Sequence, residues 1–175
     1  ELLRAQVDRM LADPKADAAI ADFHAQWLGV DEMDGVEKDA AVYPDFDAEL
    51  ARAMREDTES FVRWVFQEGD GKLETLLTGA FTLSTDPALL AVYGVERPAD
   101  HVAGTPLPLP PDERAGLLTQ PAVMARHAHA NQTSPVHRGQ LVRERLLLCG
   151  PLPPPPPEVD NSPPDPTPGS TTRER

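Results

Sequence analysis

The chain has 175 residues, 40% of them hydrophobic, with 20 prolines and a formal net charge of -13, which fits one domain plus a long linker. That charge argues against nucleic acid as the main partner, because phosphate binding needs a basic face. The single cysteine, Cys149, excludes an internal disulfide framework and a Cys-rich zinc site, and no apolar run reaches the length of a membrane span.

In chain order, Leu2, Leu3, Val7, Met10 and Leu11 recur at helical spacing and predict a first helix that Asp13-Pro14 ends. A second helix is expected from Ala16 to Leu28, with Ile20, Phe23, Trp27 and Leu28 on one side and Gly29 as its stop. Residues 31–45 read as acidic and irregular, with Gly35 and Pro44 as breakers. A long helix follows from about Asp47 to Gln67. Leu50, Met54, Phe61, Val65 and Phe66 mark its apolar face, and Glu56, Asp57 and Glu59 are assigned to the solvated side.

A short helix is expected over Leu73 to Leu77 and another from Asp86-Pro87 to Tyr93, with Gly94 ending it. Residues 97–111 form a Pro- and Gly-rich loop with a short extended or polyproline segment. Two more helices are expected, from Gln120 to about Ala128 and from a Ser134 cap to Leu148. Beyond Pro151 there are ten prolines in 25 residues and few apolar side chains, the composition of a stiff linker.

Charge is uneven along the chain. From Asp31 to Glu59 there are 11 acids against 3 bases, and from Asp112 to Cys149 there are 3 acids against 5 arginines. The simplest reading is a solvated acidic face, with contact between acidic and basic segments as the alternative.

Several residue sets could carry chemistry. His127, His129 and His137 offer imidazoles suited to zinc, copper or iron, yet positions i and i+2 on a helix point apart. Cys149 follows Leu146-Leu-Leu at a helix C-terminus, where the dipole disfavours a thiolate, so it is expected to be buried and structural. Asp45, Asp47 and Glu49 resemble half a calcium loop, with Glu56 at the twelfth position but no central glycine. An acidic helix start explains the same residues. Trp27 and Trp64 read as core. Phosphate loops, dinucleotide fingerprints, nucleophile elbows and HExxH are missing from the sequence, as is the Cys-x-x-Cys-His of c-type haem attachment.

Phe23-His-Ala-Gln-Trp-Leu, Met54-Arg-Glu-Asp-Thr-Glu-Ser-Phe, Leu89-Leu-Ala-Val-Tyr-Gly-Val, Arg114-Ala-Gly-Leu-Leu-Thr, Thr133-Ser-Pro-Val-His-Arg-Gly and the prolines 153–157 stand in a fixed order. In that order the chain resembles the secreted multidomain proteins of planctomycetes and myxobacteria that carry planctomycete cytochrome C domains. The resemblance implies a periplasmic or secreted location and flanking domains of the same polypeptide as partners. It also implies a c-type haem downstream, with no cofactor in this stretch itself. The chain starts at Glu1 without Met and is expected to be a piece of a longer polypeptide.

The expected fold is all-α, irregular and rich in long loops. Its expected parts are a helical module over 1–103, the start of a cytochrome-associated module over 104–150, and a proline-rich linker over 151–175. Trp27, Arg114, Ser134, Arg138 and Arg143 are the structural or interaction candidates. Ser134 should cap the last helix, while Arg138 and Arg143 should face either acids of the first module or a downstream haem propionate. The functional expectation is a non-catalytic helical scaffold. The alternatives are a metal-dependent extracytoplasmic enzyme module using His127, His129 and His137, and a surface interaction module.

Overall fold

The structure is a computed structural model that describes residues 1–158, so most of the expected linker lies outside the described residues. Residues 151–156 are exposed and belong to no helix or strand. The chain divides into two compact units, one of Glu1–Val36 with Asp47–Arg126, the other of Glu37–Phe46 with the chain from His127 onward. The fold is all-α, with one minimal strand pair among the described residues.

The first unit is organised around helix α3 (Ala48–Gln67), preceded by α1 (Leu2–Leu11), α2 (Lys15–Leu28) and a 3-10 turn, Val30–Gly35. Asp47 caps α3, accepting a hydrogen bond from Leu50 N at 2.8 Å, which satisfies one of the free amides of the first turn. That role replaces the calcium-loop reading of the same acids. Leu50, Met54, Phe61, Val62 and Val65 form the buried stripe of α3. Against it pack α2, the 3-10 turn, α4 (Leu73–Thr78), α5 (Pro87–Tyr93) and α6 (Pro121–Arg126). Strands β1 (Phe81–Thr82) and β2 (Leu107–Pro108) pair antiparallel, Thr82 opposite Leu107.

Helix α2 turns a different face inward from the one expected. Ala21, His24, Ala25 and Leu28 are buried, whereas Phe23 is 61% exposed and Trp27 only half-buried. Positions 21, 24, 25 and 28 follow the i, i+3, i+4, i+7 rule, so the inward face joins Ala21 and Ala25 to His24 and the expected Leu28. Trp64 is likewise half-buried and Phe66 is 40% exposed. The apolar stripe of α1 exists as a helix face but is covered by nothing in its unit, with Leu2 85% and Leu3 80% exposed.

Composition and compactness cut the chain at different places. Leu107, Leu109, Leu117, Ala122 and Val123 are all buried within the first unit, so its core continues to Arg126.

In the second unit, Asp39 N donates to Ala130 O at 2.9 Å and Lys38 Nζ to His129 O at 3.0 Å, joining the 37–46 segment to the stretch before α7 (Pro135–Leu141). Burial pulls the Lys38 ammonium below its ordinary range. The last helix was expected to reach Leu148. Instead α7 ends at Leu141, a wider π-type turn covers Val142–Leu146, and Leu148 takes a left-handed φ of 53°. Leu141 is the buried side chain of that helix.

Candidate functional site

The polar centre of the first unit is the carboxylate of Asp57, on the buried face of α3 and only 2% exposed. The sequence reading placed Asp57 in solvent with Glu56 and Glu59. Helical period corrects it, since 50, 54, 57, 61 and 65 lie on one stripe. Oδ1 accepts from Thr82 Oγ1 at 2.7 Å and from the amides of Leu83 and Ser84 at 3.1 Å each. Oδ2 accepts from the Tyr93 hydroxyl at 2.7 Å, and that hydroxyl also lies 2.9 Å from Gln120 Oε1.

Asp57 therefore ties α3 to β1, to the turn after it and to α5. Tyr93 extends the tie to Gln120, immediately before α6. Desolvation pushes the Asp57 carboxyl above its usual range, against its four hydrogen bonds, and burial beside Asp57 pushes the Tyr93 phenol up as well. One phenolic proton cannot serve two acceptor oxygens. With Asp57 ionised, the proton goes to Oδ2 and Gln120 turns its amide NH2 toward the phenol. With Asp57 protonated, the carboxyl donates to Tyr93 and Tyr93 donates to Gln120 Oε1.

Arg114 covers the outer edge of this cluster. Its guanidinium carbon lies 5.2 Å from the Tyr93 ring centroid, and Nη2 donates to Val92 O at 3.1 Å. Such a cation over a ring is worth about 0.5–1 kcal/mol at a partly exposed site. In the same unit, Arg126 of α6 pairs with Glu32 of the 3-10 turn.

The second polar feature is His24, 6% exposed on α2 among Phe23, Trp27 and Phe66, whose ring centroids lie 5.0, 5.8 and 5.5 Å away. Its Nδ1 donates to Ile20 O at 2.8 Å. Burial pulls the imidazole below its free value of 6.5, against a weaker opposing pull from the Ile20 carbonyl. Folded His24 thus resists protonation more than the unfolded chain does. Its stabilising contribution is complete above pH 6.5 and is lost as pH falls from there toward the depressed folded value. Urea midpoints followed from neutral pH into the acid range should fall, and His24→Phe should remove part of that fall. Equal slopes in both proteins would show that His24 protonates freely in the fold.

The residues singled out from sequence fall in both units. Trp27 lies beside His24 and Arg114 stacks on Tyr93. Ser134 caps α7 as expected, its hydroxyl accepting from His137 N at 3.3 Å. Arg138 is half-buried and Arg143 exposed.

His129 and His137 come together with ring centroids 5.0 Å apart. Among the described residues no group of three or more His, Cys, Asp or Glu side chains is gathered to hold a metal ion. Cys149 is exposed rather than buried, its Sγ 3.8 Å from Leu147 O, because the π-type turn and the left-handed Leu148 carry it outward. A lone cysteine outside any Cys-x-x-Cys-His does not fit covalent c-type haem attachment.

Asp57, Thr82, Tyr93, Gln120 and His24 were missed as a set by the sequence reading. For Asp57 the signal was present in its 3–4 residue spacing from Met54 and Phe61. For Gln120 none exists, since its partner lies 27 residues away.

No curated protein and no solved structure matches the chain. Residues 114–175 match the family model described as PSCyt3, protein of unknown function (DUF1588). Residues 1–95 match PSD4, protein of unknown function (DUF1592). By these matches the chain belongs to the PSD4 (DUF1592) family, continued by a PSCyt3 (DUF1588) segment, both of them planctomycete cytochrome C-associated.

Proposed function

We propose that this chain is a non-catalytic helical scaffold within an exported, haem-containing multidomain protein associated with electron transfer. The observation that carries the scaffold reading is the use made of Asp57. Both its oxygens are occupied by protein donors from three successive segments, so its carboxylate holds elements together and is not presented to a substrate. The two family descriptions support the cytochrome association, and with it an extracytoplasmic location. The haem belongs to a domain beyond this stretch. An absorbance spectrum of the full-length protein tests this reading: a Soret band with covalently retained haem is expected, and its loss from the purified, folded protein would overturn the haem role.

The approach of His129 to His137 favours a second reading, a metal-dependent enzyme module completed by His127. Metal analysis of the purified chain decides it. Stoichiometric zinc, copper or iron supports an enzyme, and a sub-stoichiometric content of all three sinks it.

A further inference from the structure

Asn131-Gln132-Thr133 is an acceptor sequence for N-linked glycosylation, an asparagine with a hydroxyl residue two positions on and no proline between them. The chain's other asparagine, Asn161, is followed by Ser-Pro and forms none. A glycan is attached only where the chain is exported and the carboxamide stands in a reachable loop. The first condition rests on the extracytoplasmic reading above. The structure bears on the second.

Asn131 lies between α6 and α7, in a loop that belongs to no helix or strand. His129 N donates to Gln132 O at 2.9 Å, which closes the loop on itself and leaves Ala130 and Asn131 at its tip. The main chain behind the tip is fixed, His129 O accepting from Lys38 Nζ and Ala130 O from the Asp39 amide. Gln132 and Ser134 are buried, while Ala130 and Thr133 are exposed and Asn131 is half-buried. Among the described residues the Asn131 carboxamide has no hydrogen-bond partner, and neither of its polar atoms is buried. Substituting its nitrogen therefore breaks no bond of the fold.

We propose that Asn131 is a site of N-linked glycosylation, the donor being a glycan carried on a polyprenyl diphosphate. Asn131 Nδ2 bonds to the anomeric carbon of the first sugar as that carbon's bond to the phosphate oxygen breaks. The polyprenyl diphosphate leaves with the bonding pair, and Nδ2 gives up one of its two protons to a base. Nothing is oxidised or reduced. A bulky, hydrated group at this tip keeps the 127–134 loop in solvent in the full-length protein.

The full-length protein is purified from the cells that produce it, and the cell fraction that holds it is recorded. Trypsin, cutting after Arg126 and Arg138, releases the peptide 127–138 for mass spectrometry. The expected result is a sugar mass located on Asn131 in the exported protein. Thr133→Ala should abolish that mass and Thr133→Ser should retain it, with circular dichroism as the check on folding. An exported protein whose peptide shows only its bare mass overturns the site and leaves the extracytoplasmic reading standing. A protein found in the cytoplasm with a bare peptide overturns both. Sugar that persists in Thr133→Ala, or that maps to Thr133 or Ser134, is a different linkage and also overturns the site.

Discussion

Asp57→Ala is expected to destabilise the first unit by about 3–5 kcal/mol, a large part of a typical domain stability. The substitution removes an acceptor and leaves the Thr82 hydroxyl, the Tyr93 hydroxyl and the Leu83 and Ser84 amides without it. A buried donor stripped of its partner costs about 1–3 kcal/mol. Tyr93 keeps Gln120 and the Ser84 amide keeps Thr82 Oγ1 at 3.0 Å, so the individual costs do not sum. Urea unfolding of the wild-type and variant proteins measures the difference, and a loss under about 1 kcal/mol would mean that water or repacking replaces the carboxylate.

Asp57→Asn adds the pH test. The folded carboxyl titrates above its ordinary value of 3.8, so the fold holds this proton more tightly than the unfolded chain does. Stability from this group is therefore greatest in acid and declines as pH rises from 3.8 to the folded value, the reverse of a salt-bridged aspartate. Asn, with no proton to lose, should remove that decline while keeping part of the hydrogen bonding. An unchanged pH profile would show that folding does not shift the Asp57 titration.

Gly116→Ala is the other large effect, again expected at about 3–5 kcal/mol or as outright failure to fold. Gly116 sits at φ 53°, ψ -155°, a combination open to glycine and strained for any side chain. A Cβ there would stand 2.2 Å from Leu76 O and 2.3 Å from Leu77 C, backbone atoms that cannot swing aside. Its amide donates to Gly79 O at 3.0 Å, fixing the chain against the end of α4 just before Leu117 enters the core. Thermal melting checks it. A variant that melts within a few degrees of wild type would show that the α4 end can move away. Gly139, with open space around its Cβ position, is the control and should tolerate alanine far better.

Both effects concern contacts across the sequence, and that marks what could be read in advance. Helix positions and stops were legible because they are local. Gly29 and Gly94 take the left-handed φ of helix ends, and Ser134 accepts the amide it was placed to cap. Asp57 was misassigned because its charge was weighed ahead of its period. Phe23 and Trp27 of α2 were misassigned for the converse reason, size being weighed ahead of position, whereas Leu28 is buried as expected. Cys149 was expected inside, and an unforeseen π-type turn placed it outside.

By itself the sequence determined an all-α chain, most of its helix ends and the order of motifs that marks its family, since each depends on neighbours within a few residues. Only the tertiary structure decided which polar groups are buried, because a carboxylate enters a core only where distant donors converge on it. It likewise decided that residues 107–126 finish the first unit, and that His24 is buried among aromatic rings. Those outcomes rest on residues brought together from 25 to 36 positions apart around Asp57 and by helix packing around His24, distances over which composition and periodicity carry no information.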